Sequence, residues 1–290
     1  MKRYTGPLLA ALLPIVGVGA LAVAPASASA ATSTSTSSAT PNWSSLEQTA
    51  LDVTASARGD GTLDVAGLPS PVAQSTITTA SGPVSLAQQT VVATDRSGVV
   101  VLDVALLGGR QLVVNEMSPG NGDQGETLVL APGTSTVTGT YRLAGASQAT
   151  AQTAALRTAS HRHGTGIVAS DGVLHRGGHH VATLATAGGC FPAPQEPGVI
   201  SSIYGPLIQG TGVIDCTSSA ETLSMVIGLY MGSTQLSNAG AASYGSYLAV
   251  NSYSPCYSSS GHWFQTAQLW SVNGTLQSGA DSGWSALSCT

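Results

Sequence analysis

The sequence is poor in charged residues, and positive charge is the scarcer sign. Only 8% of its 290 residues are charged, and its single lysine is Lys2. From residue 31 onward it has seven arginines against fourteen carboxylates, a formal net charge of −7. A nucleic-acid-binding protein normally carries a basic stripe. The composition therefore argues against that class, and we expect no nucleic-acid partner.

Sequence motifs of common exported hydrolases are also missing. Gly-x-Ser-x-Gly, the turn that carries the serine of α/β-hydrolases, does not occur, and the nearest stretch, residues 283–287, lacks the second glycine. Glycosidases need two carboxylates facing each other across a cleft, but the glutamates are scattered: Glu47, Glu116, Glu126, Glu196 and Glu221. We expect no catalytic residues. A hydrolase assembled from distant loops is the rival hypothesis; His262, beside Trp263, is interpreted as a strand-edge residue rather than a base.

The N-terminal residues have the pattern of a secretory signal peptide. Lys2 and Arg3 precede an apolar run at residues 8–24 and a small-residue stretch at 26–31. We predict a signal peptide over residues 1–30 and a Ser/Thr-rich disordered linker over 31–45. No later stretch has the roughly 18 continuous apolar residues that a membrane span needs. We therefore expect a secreted, extracellular protein with no transmembrane segment after signal removal.

Residues 46–144 have the pattern of a β module. Alternating apolar residues at 51–57 and 63–65 flank Gly59-Asp60-Gly61, which predicts a hairpin; the Arg58-Gly59-Asp60 tripeptide is interpreted as a chance match to an adhesion motif. A second hairpin is predicted around the turn at residues 95–98. Further predicted strands cover residues 111–117, 127–131 and 136–143. Short β-branched runs between turn residues are typical of antiparallel sandwiches and barrels.

Residues 145–189 form a predicted linker or extra hairpin that is rich in histidine. Its five histidines are His161, His163, His175, His179 and His180. Imidazole binds zinc and copper, so one hypothesis is a metal site in this segment. The alternatives are a solvated linker and a patch that gains charge below about pH 6.5. We expect no other cofactor.

Residues 190–290 form a predicted second β module that contains all four cysteines. An even number of cysteines in an exported protein predicts disulfides, and the preferred pairing is Cys190 with Cys216 and Cys256 with Cys289. The predicted strands are 199–204, 212–217, 222–231, 244–253, 262–272 and 284–289.

Aromatic residues concentrate in the same module. Eleven of the thirteen aromatic residues after residue 30 follow residue 189. Strand alternation places Phe264 and Trp270 on one face of the 262–272 strand and Trp263 on the other. Such residues either build the core or, when exposed, form platforms for sugar rings. The candidate ligand-binding residues are Trp263, Trp270, Tyr253 and Tyr257.

Two short stretches, GTGVIDC at residues 210–216 and WSALSC at 284–289, give the chain a resemblance to small exported, disulfide-bonded β proteins of high-GC Gram-positive bacteria. The resemblance implies an extracellular β-sandwich and no catalytic residues. We predict an all-β fold of two antiparallel, sandwich-like modules, the C-terminal one stapled by disulfides. The predicted function is a non-catalytic extracellular or envelope-associated structural or binding protein, with a polysaccharide or cell-wall polymer as partner. The alternatives are a hydrolase and a histidine-rich metal-binding protein.

Overall fold

The N-terminal part of the chain, in a computed structural model, consists of one helix and an antiparallel sheet. The structure describes residues 41–59, 61–118, 125–143, 166–168, 174–176, 189–217, 221–256, 261–277 and 279–289. Helix α1 spans Trp43–Arg58. The strands of the N-terminal sheet are β1 (Asp64–Val65), β2 (Ala73–Thr79), β3 (Gly82–Asp95), β4 (Gly98–Leu107), β5 (Gln111–Met117), β6 (Gly125–Leu130) and β7 (Val137–Leu143).

The structure has helix α1 where the first strand of the first hairpin was predicted. The alternation at residues 51–57 is wrong as a strand signal, and the predicted linker over 31–45 extends too far, since the helix begins at Trp43. Ala50, Leu51 and Thr54 are buried on one helical face, as a 3.6-residue period requires. Gly59 is not a hairpin tip but the C-cap, with φ 72° in the left-handed region where glycine is favoured.

The predicted turn at residues 95–98 is confirmed. Strands β3 and β4 pair antiparallel, with Asp95 opposite Gly98. Strands β4 to β7 follow as antiparallel neighbours. The other edge of β3 is shared by β1 and β2. Local turn residues and β-branched runs therefore specify this sheet.

The remaining strands lie after residue 165. A short pair, β8 (Gly166–Val168) and β9 (Leu174–Arg176), is antiparallel. The strands that follow are β10 (Cys190–Pro192), β11 (Gln195–Ser202), β12 (Gly205–Cys216), β13 (Glu221–Met231), β14 (Thr234–Gly245), β15 (Tyr247–Pro255), β16 (His262–Val272), β17 (Thr275–Leu276), β18 (Ala280–Asp281) and β19 (Ser285–Leu287). The predicted strand over residues 262–272 is confirmed, whereas β14 was not predicted.

These strands form two further sheets. In the central sheet, β12 pairs with β10 and β11 on one edge and with β15 on the other. In the C-terminal sheet, β13 lies between β14 and β16, and the short strands β17, β18 and β19 pair with β16. All of these pairings are antiparallel, in agreement with the predicted fold class.

The central sheet lies between the other two. One face of the N-terminal sheet packs on α1, and Leu51 of the helix and Val104 of the sheet belong to one core cluster. Its opposite face shares a cluster with the central sheet, which includes Val113 and Leu207. On the far side, Ile214 of the central sheet shares a cluster with Ile227 of the C-terminal sheet. The order of layers is therefore helix, N-terminal sheet, central sheet and C-terminal sheet. The described residues from Pro41 onward belong to one compact unit.

Two glycines let the C-terminal sheet approach the central sheet. A Cβ atom at Gly212 would lie 2.4 Å from Cγ2 of Ile227, and one at Gly210 would lie 2.7 Å from Oγ1 of Thr266. Real Cβ atoms do not approach other atoms so closely. The GTG sequence at residues 210–212 is thus explained by packing.

The predicted disulfide pairing is confirmed. Cys190 is bonded to Cys216 and Cys256 to Cys289. Cys190 also pairs directly with Cys216 across β10 and β12, so this bond fixes a strand to its neighbour. Within the described residues, no helix combines the length and hydropathy needed to cross a membrane.

Candidate functional site

A buried polar cluster joins the N-terminal sheet to the central sheet. Its members are Asp103 on β4, Asn115 on β5, Thr127 on β6, Gln209 and Thr211 on β12, and Asn251 on β15; all are buried. The amide nitrogen of Asn251 donates to Oδ2 of Asp103. Because Asp103 and Asn251 belong to different sheets, the cluster exists only when the two sheets are stacked.

Asn251 is the centre of the cluster. Its Oδ1 accepts a hydrogen bond from Oγ1 of Thr211 at 2.6 Å and further bonds from Nδ2 of Asn115 and Nε2 of Gln209, both at 3.3 Å. Nδ2 of Asn115 also donates to Oγ1 of Thr211 at 3.1 Å. The Asn251 amide is therefore held between a carboxyl group on its nitrogen side and a hydroxyl on its oxygen side.

Side chains of β3 satisfy the backbone of β15. Gln88 accepts from the backbone N–H of Asn251 at 3.0 Å and donates to its carbonyl at 3.2 Å. Thr90 makes the same pair of bonds with the backbone of Ala249, at 3.1 and 3.0 Å. Buried backbone groups need hydrogen-bond partners. Gln88 and Thr90 provide the bonds that a neighbouring strand would otherwise make, and they fix the register between the two sheets.

Burial changes the titration of the cluster. Desolvation raises the pKa of Asp103 well above its ordinary value, although the bond from Asn251 opposes the shift. Desolvation, assisted by the nearby Asp103 carboxyl group, also raises the pKa of Tyr253 well above its ordinary value. Burial disfavours the charged form of an acid, so both shifts favour the neutral form of the group.

A second feature is a shallow trough on the outer face of the C-terminal sheet. This sheet trough is lined by the side chains of Ser224, Val226, Leu269, Ser271 and Leu276 and by Gly240, and it has a volume of about 420 Å³. All of its lining residues are uncharged. The hydroxyls of Ser224 and Ser271 hydrogen-bond each other at 2.6 Å, so the trough combines apolar side chains with a hydroxyl pair.

Exposed apolar side chains cluster around the trough. Val226 is 48% exposed and Leu276 46% exposed. Tyr244, which is 69% exposed, lies four residues from Gly240 on β14 and so shares its face. Trp263 shares the face of Leu269 at the far end of β16 and is half-buried against Trp284 and Tyr230. The face therefore has an aromatic residue at each end.

The structure separates the four predicted ligand-binding aromatic residues. Trp270 and Tyr253 are 1% and 0% exposed and belong to the cores on either side of the central sheet. Trp263 is the member that reaches an outer face. Tyr257 lies outside the described residues. The alternation of Phe264 and Trp270 against Trp263 agrees with the pairing register of β13 and β16.

Most histidines of the predicted metal site lie outside the described residues. These are His161, His163, His179 and His180; of His175 only the backbone is described, in β9. Among the described residues, no group of three or more His, Cys, Asp or Glu side chains is placed to hold a metal ion. Zinc or copper binding by this segment stays a prediction.

The structure places Glu116, Glu126 and Glu196 on three different strands. Glu116 lies opposite Glu126 across β5 and β6, but its carboxylate is bound by Arg58 at 2.5 Å. Arg58 also binds Asp95 at 2.6 Å, so the arginine of the Arg58-Gly59-Asp60 tripeptide anchors α1 to the sheet. Ser285 lies beside Glu196, whose pKa is raised by burial and lowered in part by the serine hydroxyl.

Sequence reasoning missed Asp103, Thr211 and Asn251. One signal was available, because Asp103 interrupts the otherwise apolar stretch from Val99 to Leu107. A carboxyl group in the middle of a buried strand is rare unless it has a partner. The partners themselves become visible only when the sheets are stacked.

Comparison with protein-family models, with curated proteins and with solved structures finds no match to this chain. Function must therefore be argued from the residues and their geometry.

Proposed function

We propose that the protein is an exported, non-catalytic binding or structural protein of the cell exterior, and that its sheet trough binds an uncharged polysaccharide. The proposal rests on the exposed apolar side chains at the outer face of the C-terminal sheet. Val226, Leu276 and Tyr244 are exposed there around uncharged lining residues. A contiguous apolar patch on a protein surface commonly marks a binding site.

The chemistry of the trough favours a neutral sugar polymer. Sugar rings present C–H faces that pack on apolar and aromatic side chains, and hydroxyls that hydrogen-bond to groups such as the Ser224–Ser271 pair.

Two disulfides support a location outside the cell. Cross-links of this kind form and persist in oxidising compartments, and the structure contains Cys190–Cys216 and Cys256–Cys289. With the predicted signal peptide, they favour an exported protein. A polymer of the cell wall or of the surroundings is then the partner that the trough would meet.

The test is co-sedimentation of the oxidised protein with insoluble polysaccharides, including peptidoglycan. We expect retention on at least one polymer, and at least about a tenfold loss of affinity for Val226→Glu, because a charge in the trough must be desolvated on binding. The matched control is Leu68→Glu, which changes a side chain that is 93% exposed elsewhere and should be retained like the wild type.

Two outcomes contradict the proposal. Retention that Val226→Glu does not weaken would remove the trough as the binding site. A lack of retention on every polymer would remove the polysaccharide. Release of soluble sugar or peptide during the incubation would favour the hydrolase hypothesis, and Ser285→Ala with Glu196→Gln would then be the variants to assay.

A further inference from the structure

Asp103 is fully buried, in a position where a carboxyl group lowers the stability of the fold. It is 0% exposed and belongs to a strand whose next neighbours in sequence, Leu102 and Val104, are also 0% exposed. Within the described part of the chain its hydrogen bond comes from Asn251, and its second oxygen, Oδ1, makes none. A buried ionisable group whose bonding is incomplete needs an explanation other than stability.

The neighbours of Asp103 supply a nucleophile and an electrophile. Thr211 and Asn251 lie directly opposite each other on β12 and β15, so their side chains project from the same face. Oγ1 of Thr211 lies 2.6 Å from Oδ1 of Asn251. Oδ1 is bonded to the amide carbon Cγ, which is the electrophile. The Asn251 nitrogen contacts the Asp103 carboxyl group. Hydroxyl, amide and acid therefore form a continuous chain.

We infer that Thr211 and Asn251 react to form an intramolecular ester, with Asp103 as the proton donor and acceptor. The juxtaposition supports this because a hydroxyl attacks an amide carbon readily only when it is held against it and when the leaving nitrogen receives a proton. Burial supports it further, since it raises the pKa of Asp103 and so favours the protonated form that can give this proton.

The reaction balances without any cofactor. Oγ1 of Thr211 bonds to Cγ of Asn251 while the hydroxyl proton passes to Oδ1. Asp103 then protonates Nδ2, the Cγ–Nδ2 bond breaks and ammonia leaves. The proton on Oδ1 passes to Asp103, which regenerates the acid and leaves an ester carbonyl. No oxidant or reductant takes part.

The location explains when the bond forms and why it persists. Asp103 comes from the N-terminal sheet, and the reacting pair comes from the central sheet, so the site is assembled only after folding. Thr211 is 1% and Asn251 0% exposed, which keeps water away from the ester. The bond would tie β12 to β15 in the middle of the central sheet, a third covalent link besides the two disulfides.

Mass spectrometry tests the inference directly. Trypsin cleaves after Arg176, and no later arginine or lysine occurs, so one fragment that begins at Gly177 contains both residues. After reduction and alkylation we expect its mass to be lower than the sequence mass by one ammonia, about 17 Da. Peptic digestion should then give a cross-linked pair of peptides containing Thr211 and Asn251.

The variants separate this bond from other losses of ammonia. Thr211→Val and Asp103→Asn should give a fragment of full sequence mass, whereas Thr127→Val, which removes a hydroxyl of the same cluster, should keep the loss. A wild-type fragment of full mass, taken from folded protein with both disulfides formed, overturns the inference. So does a mass loss that persists in Thr211→Val.

Discussion

The two faces of the central sheet differ in the buried polar cluster that one of them carries. Towards the N-terminal sheet, β12 and β15 present Gln209, Thr211 and Asn251 to a polar cluster. Towards the C-terminal sheet, the same strands present Ile214 and Val250 to a core that contains Trp270. Both faces are buried, so the difference does not come from solvent.

The two interfaces therefore contribute differently to the stability of the fold and to the register between its sheets. The apolar interface stabilises through the area that it removes from water and through close packing. The polar cluster contributes less net free energy than apolar packing of the same area, because its hydrogen bonds replace bonds to water. It does, however, permit only one register between the sheets, since a shift would leave the side chains of Asn115 and Asn251 without partners.

Removing Trp270 should have the largest effect. Trp270→Ala leaves a cavity in the apolar interface, and we expect a loss of about 3–5 kcal/mol in the free energy of unfolding. Denaturant unfolding followed by far-UV circular dichroism measures it. Trp263→Ala, on the outer face of the same strand, is the matched control. It should cost about 1–2 kcal/mol because the ring is only half-buried. Equal losses would contradict the assignment of Trp270 to the core.

A smaller effect should appear in how the free energy of unfolding depends on pH, because of Asp103 in the polar cluster. The folded pKa of Asp103 is raised above its unfolded value, so its contribution to stability is complete below about pH 4 and falls as the pH rises towards the folded pKa. The slope for one proton is about 1.4 kcal/mol per pH unit. The difference in unfolding free energy between wild type and Asp103→Asn should therefore change with pH in this sense.

Asp95 provides a control of opposite sign. Hydrogen bonds from Ser97, together with the ion pair to Arg58, lower its pKa. Its contribution is therefore present above about pH 4 and is lost as the pH falls towards the folded pKa. Asp95→Asn should flatten the acid side of the stability profile. If Asp103→Asn instead left the slope above pH 4 unchanged, Asp103 would be ionised in the folded protein.

Local signals in the sequence predicted much of the fold. The turn at Asp95–Gly98 and the strand His262–Val272 were specified by residues next to one another in the chain. Helix α1 was misread because Leu51, Val53 and Ala55 alternate, although Ala50 and Thr54 complete a helical face. Strand β14 was missed because its small and polar residues carry little β propensity, and its conformation is set by pairing with β13.

The candidate sites were predictable only in part. The alternation along β16 placed Trp263 and Trp270 on opposite faces, but the full burial of Trp270 and the half-burial of Trp263 depend on which face meets the central sheet. The polar cluster draws on five strands, some of them far apart in sequence, as the bond between Asp103 and Asn251 illustrates. No local pattern encodes such contacts.

The most direct test of this account is hydrogen exchange across a denaturant series. The central sheet contacts both outer sheets, so we predict that amides of Val104 in the N-terminal sheet and of Ile227 in the C-terminal sheet lose protection at the same denaturant concentration. Two separate transitions, with one sheet exchanging while the other stays protected, would show that the two interfaces do not make one cooperative unit and would contradict the account.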